Sequence, residues 1–383
     1  MDRIYLDYAA TTPMDPRVLD AMSPFFIEDF GNPSSTHYFG QKTEAAVDLA
    51  RQEVARILGA KQDEIYFNSG GSEGDNLAIR GAAIARKRQV GADTILISPV
   101  EHHAISWTAR QLAEESEFNV VKLRVDKFGI IDLDNLEDSL KKYKVAVVST
   151  VYANNEIGTL NPIIEIGELC HRYGVPFHSD TVQACAHLNV NARRENIGML
   201  SVSGHKLYGP KGVGLFFKEA GLTLSPQMTG GKQENKLRAG THNVPGIIGL
   251  AKAMSLAAGE RENENKRLIF LRDKLIRFVT GEIPGAFLTG HPTDRLPNHA
   301  SFVFENLSGN DLVIALDMAG FACSSGSACK VGDPKPSDIL LGIGLTPEMA
   351  KGSLRITLGK YSTEEHIDKL IAILPVLVNK LRK

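Results

Sequence analysis

Phe177-His178-Ser179-Asp180-Thr181-Val182-Gln183 and, further along, Met199-Leu200-Ser201-Val202-Ser203-Gly204-His205-Lys206 decide how this chain is read. Asp180 follows an apolar strand-like stretch, and Lys206 follows another. Taken singly, a loop lysine is ordinarily a solvated charge, and an Asp at a strand end ordinarily caps a turn. Together, in this order, they supply an amine that can form a Schiff base and a carboxylate that can keep a pyridine nitrogen protonated. That is the spacing expected of a pyridoxal phosphate (PLP) site. Ser203 and His205 lie two apart beside the lysine, so one tight turn aims both at a phosphate. Partial burial beside a cationic partner lowers a lysine pKa enough for Lys206 to serve as anchor and base.

Working outward, residues 16 to about 260 alternate helical patterns with short apolar strands, as a mostly parallel α/β sheet with crossover helices requires. Strands are expected at Glu64 to Phe67, Thr94 to Ile97, Val145 to Val148 and Val213 to Phe217. A helix is expected from Glu44 to Leu58, where Val47, Ala50, Val54, Ile57 and Leu58 recur at three-to-four spacing before Gly59. A polar helical stretch from Ala258 to Arg267 reads as the bridge to a smaller α+β unit. The expected organisation is an N-terminal segment (1-15) packing near the active site, a large cofactor-binding domain (16-258) and a small C-terminal domain (259-383).

Ser69-Gly70-Gly71-Ser72-Glu73-Gly74-Asp75-Asn76 links a strand to the helical run from Leu77 to Ile84. Glycines let backbone approach a ligand, and a helix N-terminus directs free N–H groups at an anion, so a phosphate suits this turn. Glu101-His102-His103 and Asn154-Asn155-Glu156 also follow strands and point to the same crevice. His102 is a candidate to stack on a cofactor ring. No companion ligands recur at zinc-like spacing, and no metal is expected.

The composition is that of an ordinary globular chain. Its 383 residues are 43% hydrophobic and 23% charged, with 43 basic against 45 acidic side chains for a net charge of −2. Nothing there indicates bulk attraction to nucleic acid or an anionic membrane, and no apolar run approaches the ~18 residues of a membrane span. The chain opens on Tyr5-Leu6-Asp7-Tyr8-Ala9-Ala10-Thr11-Thr12 without a secretory pattern, and its four cysteines form no disulfide framework, so a cytoplasmic setting is expected. Cys170 and Cys185 lie in apolar contexts and read as inert, and Cys323 reads as a core residue. Cys329 differs, because it sits in Ser324-Ser325-Gly326-Ser327-Ala328-Cys329-Lys330-Val331-Gly332-Asp333-Pro334, a small-residue loop suited to a working thiol.

With Leu6-Asp7-Tyr8-Ala9-Ala10-Thr11-Thr12, Gly31-Asn32-Pro33-Ser34-Ser35, Asn154-Asn155-Glu156-Ile157-Gly158, Ser203-Gly204-His205-Lys206, Ser324 to Cys329 and Arg355 in view, the chain resembles the cysteine desulfurases of the iron-sulfur-cluster and nitrogen-fixation type. These belong to the class V aminotransferase family of fold-type I PLP proteins. The resemblance implies that Lys206 bonds the cofactor, Asp180 pairs with its ring nitrogen, His102 stacks on the ring, and Asn155 and Gln183 reach its hydroxyl side. It implies a phosphate held by Gly71, Ser72, Ser203 and His205, with Thr241 reaching in from the second subunit of a homodimer. Arg355 is implied to hold the substrate carboxylate, with Asn32 and Asn155 assisting. The implied reaction converts L-cysteine to L-alanine and leaves a persulfide on Cys329, for an iron-sulfur scaffold or a tRNA-thiolating enzyme. Selenocysteine lyase or another class V lyase or aminotransferase is the alternative, and the loop thiol separates the two, since neither elimination nor transamination needs it. Three places depart from the common pattern: Gly70-Gly71-Ser72 stands where Gly-Ala-Thr is usual, Lys330 follows the cysteine, and Leu381-Arg382-Lys383 ends the chain without a longer tail.

Overall fold

The computed structural model describes residues 3–326 and 336–382. Its strands are β1 (Ile4–Tyr5), β2 (Ile65–Asn68), β3 (Thr94–Ile97), β4 (Asn119–Lys122), β5 (Val145–Val151), β6 (Phe177–Asp180), β7 (Met199–Ser203), β8 (Gly214–Lys218), β9 (Ala286–Leu288), β10 (His299–Phe304), β11 (Phe321–Ala322) and β12 (Ser353–Thr357). Seven of them form one sheet in the order β2-β8-β7-β6-β5-β3-β4. The steps from β7 through β6, β5 and β3 to β4 are parallel, and β8 runs antiparallel to both of its neighbours.

Helices cover both faces, which is why the central strands are buried throughout and rich in Val, Ile and Leu. Successive side chains go to opposite layers. Ile95 and Ile97 pack with the helices Gly71–Val90 and His103–Ser116, whereas Leu96 packs with the layer that includes Tyr38–Leu58 and Ile163–Arg172. The expected strands are present with ends shifted by a residue or a few. The helix expected from Glu44 begins at Tyr38, capped by His37, whose Nδ1 accepts the Gly40 N–H. Tyr38 and Phe39 in that first turn are 70% and 49% exposed, so they contribute no inward-facing apolar signal.

The polar stretch from Ala258, expected as a helical bridge, is the middle of one 39-residue helix, Val244–Glu282. Its first part, with Ile247, Leu250 and Met254, packs into the core of the large sheet. Its last part, with Leu268, Leu271, Leu275 and Val279, packs into a second core with Phe302, Phe304 and Leu370. That second core lies on the antiparallel sheet β12-β10-β9, covered by helices Gly309–Met318 and Glu364–Leu381. β1 pairs with β11, and Ile4 and Leu6 join the second core. The N-terminal segment then leaves this unit and crosses to the strand ends of the large sheet. No helix among the described residues is long and apolar enough to cross a membrane.

Candidate active site

The parallel strands β3, β5, β6 and β7 end on the same side of the sheet, and their ends open into a cavity of about 530 Å³. Lys206, His102, Gly71, Ser72, Asn155, Asp180, Gln183, Ser203 and His205 all line it. β7 ends at Ser203 and turns at once into the short 3-10 helix Gly204–Lys206. Gly204 permits that turn, since a Cβ there would lie 2.8 Å from the Pro210 carbonyl oxygen.

Lys206 Nζ donates to the carbonyl oxygens of Ala9 and Ala10 at 2.5 and 2.6 Å, so the N-terminal segment positions the amine. Burial, reinforced by the Arg355 cation, lowers the Lys206 pKa to about 8 against the pull of Asp180 and Asp7. The buried Asp180 carboxylate accepts the Val182 N–H at 2.9 Å and forms no ion pair among the described residues. Burial pushes its pKa up, opposed by His102, the Val182 N–H and Lys206. His102 caps the helix His103–Ser116, its Nδ1 accepting the Ala104 N–H at 3.1 Å, which leaves the ring proton on Nε2. Burial lowers its pKa, so the ring stays neutral.

Beneath Asp180 lie two carboxyl groups that sequence reading passed over. Asp75 lines the cavity floor, and its Oδ1 is buried without a hydrogen-bond partner. Glu101 accepts the Val151 N–H at 2.8 Å, joining the loop after β3 to the end of β5. Burial first, and then the charge of Asp180, raises both pKa values. Asp75 was legible in principle, because it falls four residues after Gly71 on one helix face.

At the opposite end of the cavity, the helix Gly71–Val90 starts at Gly70 with no side chain capping its first N–H groups. A Cβ on Gly71 would lie 2.5 Å from Val182 Cγ2, so glycine there lets the helix end abut the strand ends. Ser203 lies beside it. His205 Nδ1 meets Thr11 Oγ1 at 3.1 Å, and Lys211, which was not anticipated, completes this end of the wall. Burial, with Lys206 and Lys211 nearby, lowers the His205 pKa to about 4, so it is a neutral partner.

Arg355 enters from β12 in the small unit. Its Nη2 donates to Asp7 Oδ1 at 2.8 Å and its Nη1 to the Asn155 carbonyl oxygen at 3.1 Å, while Nε is buried and unpartnered. Asp7 Oδ2 accepts the Ser324 hydroxyl at 2.7 Å, and Ser324 exchanges backbone hydrogen bonds with Arg355. Ser337 donates to Glu156 at 2.5 Å, next to Asn155. Burial raises the Glu156 pKa to about 6, against Ser337 and Arg355. The chain on either side of residues 327–335 is thus tied to the residues beside Asn155, at the cavity wall. Cys329 and Lys330 lie outside the described residues.

Two expected residues are not brought to this cavity within one chain. Asn32 is exposed, its Oδ1 accepting the Ser34 N–H at 3.0 Å to form a turn, and Thr241 is exposed on the segment before the long helix. Of the remaining thiols, Cys170 and Cys185 are buried with pKa values pushed up by burial, and Cys323 is pushed up to about 12 by burial.

These residues fit PLP. A lysine amine with a depressed pKa faces a buried carboxylate without an ion-pair partner, which a ring-nitrogen cation would supply, and an uncapped helix end with Ser203, His205 and Lys211 offers an anion site. The class-V aminotransferase family model matches residues 4–370. Cysteine desulfurase IscS of Clostridium botulinum is 45% identical, the alignment covering 100% of this chain and 96% of that one. The solved structure of a NifS-like protein superposes with a TM-score of 0.91 at 32% identity, covering 99% of this chain and 100% of that one. SspA, solved in complex with cysteine, does so with a TM-score of 0.81 at 32% identity, covering 94% and 100%. Class-V aminotransferases of this fold-type I kind work with PLP, and the chain belongs to that family, on its cysteine desulfurase branch.

Proposed function

We infer that the protein is a cysteine desulfurase that converts L-cysteine to L-alanine and carries the sulfur as a persulfide on Cys329, for delivery to iron-sulfur cluster assembly, tRNA thiolation or both. One observation carries the reading. Lys206, Asp180 and an open helix N-terminus share a cavity whose substrate end is tied, through Asp7–Ser324 and Glu156–Ser337, to both sides of the loop that bears a thiol.

When bound, PLP supplies an electron sink that makes the α-proton of an amino acid removable and its Cβ–S bond labile. The chain does the rest. Lys206 anchors the cofactor and takes and returns the substrate's α-proton at Nζ. Asp180 would pair with the ring nitrogen, and burial together with the charge of Asp180 works against ionisation of Asp75 and Glu101. Ser72, Ser203, His205 and the N–H groups after Gly70 would hold the phosphate, and His102, Asn155 and Gln183 would contact the ring. Arg355, with its unpartnered Nε, binds the substrate carboxylate. The Cys329 thiolate attacks the substrate sulfur; an S–S bond forms, the Cβ–S bond breaks, and the carbon skeleton is protonated to alanine. L-cysteine and the thiol become L-alanine and the persulfide, so the atoms balance.

A homodimer is part of the proposal. Phe26, Ile27, Phe30 and Tyr38 are 59%, 80%, 66% and 70% exposed, and Phe30 stacks on Phe39 at 5.6 Å, large apolar side chains left facing solvent close together in the sequence. Beside it, Pro33 and Ser34 share a second cavity of about 500 Å³ with Glu234 and His242, so the segments that carry Asn32 and Thr241 lie on one face, where a second copy would receive both. We also divide the chain near 258/259, with residues 1-15 crossing between the units, and place the protein in the cytoplasm on its few cysteines, of which Cys170, Cys185 and Cys323 are free among the described residues.

The test is incubation of the holoenzyme with L-cysteine, measuring alanine release and the mass of the loop peptide. One added sulfur on Cys329, in step with alanine, is expected. Normal turnover by Cys329→Ala would favour a lyase instead.

A further inference from the structure

We propose that Glu234 is a positioning residue that presents Thr241 to the cofactor phosphate of a second copy of this chain. The inference rests on the cross-subunit reading of Thr241. The segment that ends at Thr241 is held in an unfavourable shape, because Glu234, Asn235 and Lys236 have φ angles of 45°, 53° and 65°, three successive side-chain-bearing residues in the left-handed region. Something must hold it there, and Glu234 does.

Its carboxylate is buried and accepts four hydrogen bonds. Arg51 donates in a fork, with Nη1 to Oε2 and Nη2 to Oε1, both at 2.8 Å; the Phe67 N–H donates at 3.0 Å and His242 Nε2 at 2.8 Å. Arg51 is itself fixed, donating to the Ile65 carbonyl oxygen and lying 4.7 Å over the Phe67 ring. Burial works against the Glu234 charge, but His242 and Arg51 outweigh it and hold its pKa below the usual carboxylate range. The segment is thereby pinned to β2 and to the helix Tyr38–Leu58.

The second tie lies on the other side of Thr241 in the fold. Arg238 Nε donates to Glu73 Oε1 at 2.9 Å, and Glu73 belongs to the first turn of the phosphate-facing helix. Thr241 therefore sits between two anchored neighbours, Arg238 and His242, while its own side chain is exposed, outside its own chain's cavity. An exposed hydroxyl between two anchored neighbours, on the segment that shares a cavity with Pro33 and Ser34, is arranged for a ligand shared with a partner copy rather than for its own site.

The experiment titrates full-length dimers, stripped of cofactor, with PLP and separately with pyridoxal, which lacks the phosphate, following the absorbance of the lysine adduct. Wild type, E234Q, T241A and H242Q are compared, H242Q loosening the anchor without leaving Arg51 unpaired. E234Q, H242Q and T241A are each expected to weaken PLP about tenfold, the loss of one charge-assisted hydrogen bond, and to leave pyridoxal binding unchanged. An equal loss for PLP and pyridoxal would mean general damage and overturn the proposal. T241A weakening PLP while E234Q and H242Q bind it normally would overturn the role of Glu234 alone. PLP binding unaffected by T241A would sink the cross-subunit reading, and this inference with it.

Discussion

The two ends of the active site are built on opposite principles. The cofactor end is assembled from the ends of adjacent strands, where Asp180 closes β6 and Ser203 closes β7, with Lys206 one turn beyond; each group is carried by the sheet that buries it. The substrate end has no such scaffold. It brings Asp7 to Arg355 and Ser324, both more than three hundred positions away, where the N-terminal segment passes between the two units. A site that must hold a cofactor rigidly and let a thiol approach needs both kinds of construction. Strand ends supply fixed geometry, and the seam between units brings distant segments of the chain together.

The largest effect that separates the two ends is expected from Cys329→Ala. Alanine production should fall about a thousandfold or more, as with loss of any nucleophile that acts alone, while the spectrum of the bound cofactor and the response to added L-cysteine persist. Losing the cofactor from this variant would show that the ends are not separable. Next in size, Asp180→Asn should lower kcat about a hundredfold by removing the charge beside the ring nitrogen, with the KM for cysteine little changed. Arg355→Lys should do the reverse, raising KM about tenfold at nearly constant kcat, because an ammonium cannot reproduce the guanidinium's fork. Steady-state kinetics on the pair decides it, and equal effects on both constants in both variants would break the division.

The same division sets how much the sequence disclosed. Asp180, Ser203, His205 and Lys206 were readable because strand and chemistry share one short stretch, so an apolar run followed by polar residues shows element and function together. Gly71 and Ser72 were readable for the same reason. Asp75 was missed because its environment, Asp180 at the end of β6 and Glu101 in the loop after β3, is a product of the sheet. Lys211 and the Asp7–Arg355 pair were missed likewise, since nothing local in Leu6-Asp7-Tyr8 tells that β12 lies alongside. The polar stretch from Ala258 was readable as a bridge because its turns carry no apolar face, but the full length of the helix was not, since its apolar face changes partners there, from the large core to the small one. Periodicity reports which residues face a core; it does not report that there are two.

A smaller effect tests whether the ends communicate. Lys206 reacts as a neutral amine, and its pKa is depressed to about 8 by burial and by Arg355, with Asp180 and Asp7 pulling upward. A depressed lysine pKa means the ammonium dominates below that value and the amine above it. The rate at which stripped protein captures PLP should therefore rise through pH 8 and then level. Removing the Arg355 cation with Arg355→Gln should move the profile to higher pH, and Asp7→Asn should move it to lower pH. Stopped-flow absorbance across a pH series reads both shifts, and unmoved profiles would mean that the seam does not tune the lysine.

The smallest expected effect is that of Ser324→Ala. Ser324 Oγ donates to Asp7 Oδ2 at 2.7 Å, so the change removes one hydrogen bond to a carboxylate at the base of the thiol loop. Such a bond contributes about 1.5–3 kcal/mol where it alone fixes a group. Here it does not act alone. The backbone exchange between Ser324 and Arg355, at 3.2 and 2.7 Å, stays, and so do the Ser337–Glu156 bond and the Asp7–Arg355 ion pair. The loop base should therefore hold its place, and persulfide formation in a single turnover should slow by less than about threefold, well short of what that bond is worth in isolation. Ser324→Ala combined with Ser337→Ala should slow it by more than the product of the two single effects, because each tie compensates for loss of the other. A single Ser324→Ala change as damaging as Cys329→Ala would mean that the seam places the thiol as rigidly as the strand ends place the cofactor, and the contrast between the two ends would not stand.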